Sequence, residues 1–256
     1  MMMRSGHYLN NEDDFFYDSI VKGYYNNHMK TVLTRVNSFT GIAYKDEPAI
    51  FSWELMNEPQ CQSDLSGKSI KSWVSEMAAY VMSIDRNHLL EVGLEGYYGK
   101  STPEKQVVNL SYEVGTGFIA NNSMLASHML ILPPFISFPI NDETTEALFG
   151  ERWIKSHMED SASVLGKLLM LTEFGKSSRS PGYQVAVSDA YFSNIYDTLY
   201  SSCASSSDGV CGAGGACFWQ VMAPGMEDWG DGYEVFLEQS PSTMAVVVKQ
   251  SRRLSL

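Results

Sequence analysis

The feature that most constrains this chain is a short apolar segment that ends on a glutamate, and this pattern occurs twice. In FSWELMNEP, residues 51–59, apolar residues alternate as in a strand with both faces largely covered, and the final proline cannot continue a sheet ladder. Asn57 and Glu58 are therefore expected at the carboxyl end of this strand. LLMLTEFG, residues 168–175, has the same form and places Glu173 at a second strand end. In sheets built from βα units, the carboxyl ends of strands carry the loops that perform chemistry.

Around these two segments the sequence alternates helical and strand-like stretches. Apolar residues at helical spacing predict helices at residues 15–37, 69–84, 151–165 and 185–201. Short apolar runs predict strands at residues 49–56, 88–93, 125–132, 168–173 and 216–222. Repeated βα units imply a parallel sheet, which must be covered on both faces or closed into a barrel. We therefore expect a single α/β domain over residues 1–256.

Composition argues against several classes of protein. The chain has 256 residues, of which 44% are hydrophobic, enough for one globular domain with its own core. A formal net charge of -12, with no basic cluster before residues 251–253, argues against a nucleic-acid partner. No stretch is long enough to span a membrane, and the start MMMRSGHYLNNEDDFF lacks the apolar run of a secretory signal. We expect a monomer that acts on a neutral substrate.

The cysteines and the remaining motifs give no sign of a metal or an organic cofactor. Cys61, Cys203, Cys211 and Cys217 show no CxxC spacing and no nearby histidine, so no zinc site is predicted. Cys203 and Cys211 flank a turn rich in serine and glycine, and they either pair in an oxidising compartment or stay free thiols. No nucleotide or flavin motif is present, so we expect no cofactor.

Two carboxyl groups at one edge of a parallel sheet suit the hydrolysis of glycosidic bonds. In that reaction one carboxylic acid protonates the leaving oxygen, and a second carboxylate attacks the sugar or activates water. The acid needs a pKa raised by burial or by an ionised neighbour, whereas the nucleophile stays ionised through hydrogen bonds. Glu58 and Glu173 are the candidates. Trp219, in the last predicted strand, is either a floor on which a sugar ring stacks or an ordinary core residue.

Several motifs resemble the plant endo-β-1,4-mannanases of glycoside hydrolase family 5. They are WELMNEP, LTEFGKSS, FWQ, VLTRVNSFTGIAYKD, NHLLEVGLEGYYG and DGYEVFLEQSP, and they extend over nearly the whole chain from Asp13 onward. The resemblance implies a secreted (β/α)₈ barrel that cleaves β-1,4-mannosidic linkages inside mannans, galactomannans or glucomannans with retention. It implies that Glu58 is the acid/base and Glu173 the nucleophile. Asn57 then contacts the sugar 2-hydroxyl, and Trp219 is the substrate platform.

The number of predicted strands departs from this family. About five are present, the first matches the family's fourth, and the family's opening βα units are missing. We therefore expect an incomplete, N-terminally truncated barrel, in which strand 49–56 has no upstream neighbour and Phe51 or Trp53 is exposed. In the family arrangement the carboxyl groups of Glu58 and Glu173 should lie about 5–5.5 Å apart. The missing strands should slow turnover at least about a hundredfold.

Some alternatives remain at this level. Ideal alternation places Glu54 on the face of Glu58, so Glu54 is either a rival acid or, as we favour, a polar plug inside the barrel. His128 could replace a family histidine, although a core position is the stronger interpretation. Codons for residues 132–139 can read in another frame as STIHIFP, so we hypothesise a local frameshift within residues 123–151. The alternative functions are a non-catalytic glycan-binding remnant or pseudogene product, and an endo-glucanase or xylanase of the same clan.

Overall fold

The computed structural model describes residues 7–109, 113–123, 129–132, 143–204 and 213–254. Their strands are β1 (Ser52–Asn57), β2 (Leu89–Gly93), β3 (Met129–Leu132), β4 (Leu168–Leu171) and β5 (Ala213–Ala216). Their α-helices are α1 (Ser19–Leu33), α2 (Lys68–Ile84), α3 (Phe118–Asn122), α4 (Glu143–Asp160), α5 (Val185–Ala204) and α6 (Pro241–Leu254). This is an α/β fold. The chain divides into two compact units, Met1–Leu130 and Ile131–Leu256, and the expectation of a single domain stays a prediction.

In the first unit, β1 and β2 form a parallel pair in which Ser52 lies opposite Leu89 and Glu54 opposite Glu91. The chain returns from one strand to the other through α2, as a parallel pair requires. Apolar residues recur along α2 at helical spacing, and its central Trp73 is fully buried. Its ring contacts three other aromatic rings, those of Phe15, Phe16 and Tyr25.

Helix α1 is shorter than the predicted helix of residues 15–37, and its first residues show why. Phe15 and Phe16 belong to a separate 3₁₀ turn, Glu12–Phe16, capped by Asn11. Asp18 then caps α1, because its Oδ1 accepts hydrogen bonds from the backbone amides of Ile20 and Val21. Apolar residues can keep a helical spacing across such a break, so spacing alone does not show where the helix begins. The capping residue fixes that position.

Strand β1 is less covered than its alternating sequence predicted. Leu55 is buried, but Glu54 and Asn57 are exposed, so the prediction of two covered faces was wrong. In the described part of the chain β1 pairs with β2 and with no other strand. Phe51, just before β1, is 54% exposed, as expected for an uncovered edge, while Trp53 is half-buried.

The other sheet has the strand order β3–β4–β5, and within the second unit β4 runs parallel to β5. Phe174, which follows β4, is buried and packs against Phe192 and Tyr196 of α5. The predicted strand at residues 216–222 was placed too late, because β5 comprises the small residues Ala213–Ala216. The chain after β5 still contacts the β4 segment, since the Cys217 amide donates a hydrogen bond of 2.7 Å to the Leu171 carbonyl, and Val221 then bridges to Val235.

Among the helices that the structure describes, none has the length and apolar character needed to cross a bilayer.

Candidate active site

Glu58 lies at the carboxyl end of β1, as predicted. Its backbone amide donates a hydrogen bond of 2.7 Å to the carbonyl of Gly93, the last residue of β2. Its φ is 46°, in the left-handed region that non-glycine residues seldom adopt. Strained backbone of this kind costs about 1–3 kcal/mol and is concentrated at functional sites. The hydrogen bond therefore holds Glu58 in a conformation that its side chain alone would not favour.

A second carboxyl group, Glu95, follows β2 and faces Glu58. The side-chain amide of Gln60 donates to both of its oxygens, at 3.1 Å each. Burial, together with the negative charge of Glu58, raises the pKa of Glu95 to about 7 against the opposing effect of the Gln60 hydrogen bond. Burial also raises the pKa of Glu58. This end of the β1–β2 pair is therefore suited to holding a proton at neutral pH.

The sequence analysis did not single out Glu95, although a signal was present. GLEG after the apolar stretch 88–93 repeats the strand-then-glutamate pattern seen at Glu58 and Glu173. Had that pattern been applied to every predicted strand, it would have identified Glu95.

Glu91 lies within β2, four residues before Glu95, and its side chain is buried. It is 1% exposed, its Oε1 accepts a hydrogen bond of 2.5 Å from the Ser52 hydroxyl, and its Oε2 has no hydrogen-bond partner in the described part of the chain. Burial raises the pKa of Glu91 to about 7. Glu54, directly opposite, is exposed and lies against Gly93, where a Cβ would come within 2.8 Å of its Oε1. Glu54 is thus exposed in this structure, and its interpretation as a polar plug inside the barrel stays a prediction.

In the second unit, Glu173 and Trp219 lie just beyond the ends of the paired strands β4 and β5. The Trp219 amide donates a hydrogen bond of 2.9 Å to the carbonyl of Phe174, which follows Glu173 directly. Gly175 permits this approach, because a Cβ there would lie 2.5 Å from the Trp219 carbonyl oxygen. Glu173 is half-buried.

Trp219 is a surface residue and not part of the core. Its side chain is 42% exposed, and its indole Nε1 donates a hydrogen bond of 2.7 Å to Asp231. Burial alone would raise the pKa of Asp231, but hydrogen bonds from the Trp219 indole and the Tyr233 amide outweigh it and lower the pKa. An ionised acceptor therefore fixes the orientation of the exposed indole.

The predicted site residues fall into two groups, with Asn57 and Glu58 in the first unit and Glu173 and Trp219 in the second. Their roles, and the expected carboxyl spacing, stay predictions. His128 and Cys211 lie outside the described residues, as do 133–139 of the frameshift hypothesis. Within the described ranges, no group of three or more histidine, cysteine, aspartate or glutamate side chains is arranged to hold a metal ion.

Comparison with known proteins gives one consistent result. Residues 2–228 match the family described as GH family 5 beta-mannosidase-like. The chain is 48% identical to mannan endo-1,4-beta-mannosidase 4 of Solanum lycopersicum, covering 99% of this chain and 62% of that protein. It is 46% identical to mannan endo-1,4-beta-mannosidase 1 of Oryza sativa subsp. japonica, covering 97% of this chain and 58% of that protein. The chain thus spans about three fifths of these curated relatives.

Solved structures agree with the sequence relatives. The endo-beta-1,4-mannanase from Thermotoga petrophila superimposes with a TM-score of 0.77 at 26% identity, covering 98% of this chain and 53% of that chain. The endo-1,4-beta-mannanase from Rhizomucor miehei superimposes with a TM-score of 0.72 at 24% identity, which supports the fold alone.

Proposed function

Because the chain belongs to the GH family 5 beta-mannosidase-like family, we propose that the five strands in its described part belong to a (β/α)₈ barrel that hydrolyses β-1,4-mannosidic linkages within mannans. The observation that carries this proposal is the position of Glu58 and Glu173, each just beyond the carboxyl end of a parallel strand. Relatives named as mannan endo-1,4-beta-mannosidases favour mannan over glucan or xylan as the substrate.

The first half of the reaction depends on the protonated state of Glu58. Burial raises the pKa of this carboxyl group, so Glu58 can donate a proton to the glycosidic oxygen as the bond breaks. The Glu173 carboxylate attacks the anomeric carbon and forms a covalent glycosyl-enzyme. Asn57 holds the sugar 2-hydroxyl, and the exposed indole of Trp219 stacks on a sugar ring.

The second half reverses these proton transfers. Glu58, now ionised, takes a proton from a water molecule, which attacks the anomeric carbon and releases Glu173. The sugar therefore keeps its configuration. This sequence of steps requires the two carboxyl groups to lie about 5–5.5 Å apart, and no cofactor takes part in it.

Release of reducing sugar from galactomannan tests the proposal, with Glu173→Gln as the matched control. We expect slow release by the 256-residue chain and none by the variant. Since the chain spans about three fifths of its relatives, its rate should be at least about a hundredfold below that of a full-length relative.

The same assay separates the alternatives. Binding to galactomannan without any release would support a glycan-binding remnant, and faster release from β-glucan or xylan would support the other two substrates. Turnover equal to that of a full-length relative, abolished by Glu58→Ala, would show that the family's opening βα units are dispensable.

A further inference from the structure

The second unit presents a tryptophan that the proposed reaction does not use. Trp229 is 78% exposed, which is more than Trp219 at 42%. An indole exposed to this extent contributes little of the hydrophobic stabilisation that its burial would give. Single exposed apolar residues are common on protein surfaces, so it is the position of Trp229 beside the proposed sugar platform that points to binding.

The segment around Trp229 is held in one conformation by local hydrogen bonds. Trp229 ends a 3₁₀ turn, Glu227–Trp229, and its amide donates 3.0 Å to the carbonyl of Met226. The Glu227 carboxylate accepts a hydrogen bond of 3.0 Å from the Gly225 amide, which lowers the pKa of Glu227. The turn is therefore closed on both sides of the tryptophan.

The same segment is fastened to the loop that follows Glu173. The Arg179 guanidinium donates 2.7 Å to the carbonyl of Gly230, and the Ser178 amide donates 2.6 Å to the carbonyl of Gly232. Gly232 has a φ of 104° and lies close to Arg179, where a Cβ would come within 3.0 Å of the arginine side chain. A larger residue at position 232 would push these two loops apart.

Asp231 connects this segment to the proposed sugar platform. It lies two residues after Trp229, and its carboxylate accepts the hydrogen bond of the Trp219 indole at 2.7 Å. Backbone pairing adds to this link, since Gln220 both donates to Tyr233 and accepts from Val235. Trp219 and Trp229 are thus parts of one hydrogen-bonded frame.

We propose that Trp229 is a second stacking platform, which binds a neutral pyranose ring of a β-1,4-linked mannan chain in addition to the ring on Trp219. This inference rests on the proposed function. Pyranose rings present apolar C–H faces to aromatic rings, and their hydroxyl groups donate to carboxylates such as Glu227 and Asp228 on the same turn. Acidic neighbours also suit a neutral polysaccharide better than an anionic one.

The test is binding rather than hydrolysis, in the Glu173→Gln background so that the substrate is not consumed. Retardation in gels that contain galactomannan, and titration with β-1,4-mannohexaose, should show Trp229→Ala weakened about two- to tenfold. Trp229→Phe should keep most of the affinity, because a phenyl ring still stacks. Phe39→Ala is the matched control, since Phe39 is a 97% exposed aromatic residue of the first unit.

Each outcome decides between defined alternatives. If Trp229→Ala binds as tightly as its parent while Trp219→Ala is weakened, the second platform is overturned and the proposed function stands. Equal losses for Trp229→Ala and Trp229→Phe would also overturn it, since stacking would then not be the interaction removed. Failure of the parent to bind mannohexaose would overturn it as well, whereas absence of hydrolysis by the unmodified chain is a failure of the proposed function alone.

Discussion

The glutamates of the β1–β2 pair and the acids of the loop around Trp229 lie in opposite environments. In the first unit, burial raises the pKa of Glu58, Glu91 and Glu95. In the second, hydrogen bonds from backbone amides and from the Trp219 indole lower the pKa of Glu227 and Asp231. Burial therefore favours the protonated form of these three glutamates, whereas Glu227 and Asp231 are ionised hydrogen-bond acceptors.

The cause lies in the chain around each group. Glu58, Glu91 and Glu95 lie on or just beyond β1 and β2, where the packed core removes water. Glu227 and Asp231 lie in a glycine-containing loop whose amides are free to donate. Residue type is nearly the same in both places, so the difference teaches that the surroundings decide which carboxyl group can act as an acid.

The largest expected effect is a loss of catalytic activity. Glu58→Gln should lower kcat/KM on mannan by about 10²–10⁴-fold, because it removes the proton donor. On a dinitrophenyl β-mannobioside the loss should be smaller in the first step, because that leaving group departs without a proton. Glu173→Gln should lose activity on both substrates.

Burst kinetics on the aryl substrate, with mannan hydrolysis alongside, would measure the two effects. Equal losses on both substrates for Glu58→Gln would contradict the assignment of Glu58 as the acid.

The next effect compares the two cores. Trp73→Ala and Phe174→Ala should each lower the free energy of unfolding by about 3–5 kcal/mol, because each removes a buried aromatic ring. We expect the larger loss for Trp73, whose ring contacts three other aromatic rings. Urea unfolding measures both, and hydrogen exchange should show lost protection in α2 for Trp73→Ala and in α5 for Phe174→Ala.

Phe39→Ala again serves as the control, since exposed substitutions usually change stability by less than about 0.5 kcal/mol. A greater loss for Phe174→Ala than for Trp73→Ala would show that the core of the second unit is the more strongly packed.

The smallest effect concerns pH. The pKa of Glu91 is about 7 in the folded chain and near 4.5 when unfolded, so the unfolded chain loses its proton first as pH rises. Its contribution to the free energy of unfolding is present below about pH 4.5 and falls until about pH 7, by up to about 1.4 kcal/mol per pH unit. Glu91→Gln keeps an acceptor for Ser52 and cannot ionise, so its stability should depend less on pH.

Urea unfolding at pH 4 and pH 8 tests this, with exposed Glu104→Gln as the control. We expect Glu91→Gln to match the unmodified chain at pH 4 and to exceed it by about 1 kcal/mol or more at pH 8. An unchanged difference between the two pH values would mean that Glu91 is ionised in the folded chain.

Local patterns in the sequence were enough to locate most of the elements. Apolar spacing predicted α2 and β2 almost to the residue, and it placed Glu58 and Glu173 just beyond strand ends. Helical and strand periodicity depend on neighbouring residues alone, so they can be seen without knowing what packs on them. Family motifs then predicted a chemistry for these two glutamates.

Tertiary structure alone decided which of these side chains are enclosed. Strand alternation cannot distinguish Glu54 from Glu91, yet packing buries Glu91 and leaves Glu54 exposed. Nor could the sequence show that Asp231, twelve residues away, orients Trp219. Burial, and with it the pKa of a carboxyl group, depends on segments that are distant along the chain, so it is determined only when the chain has folded.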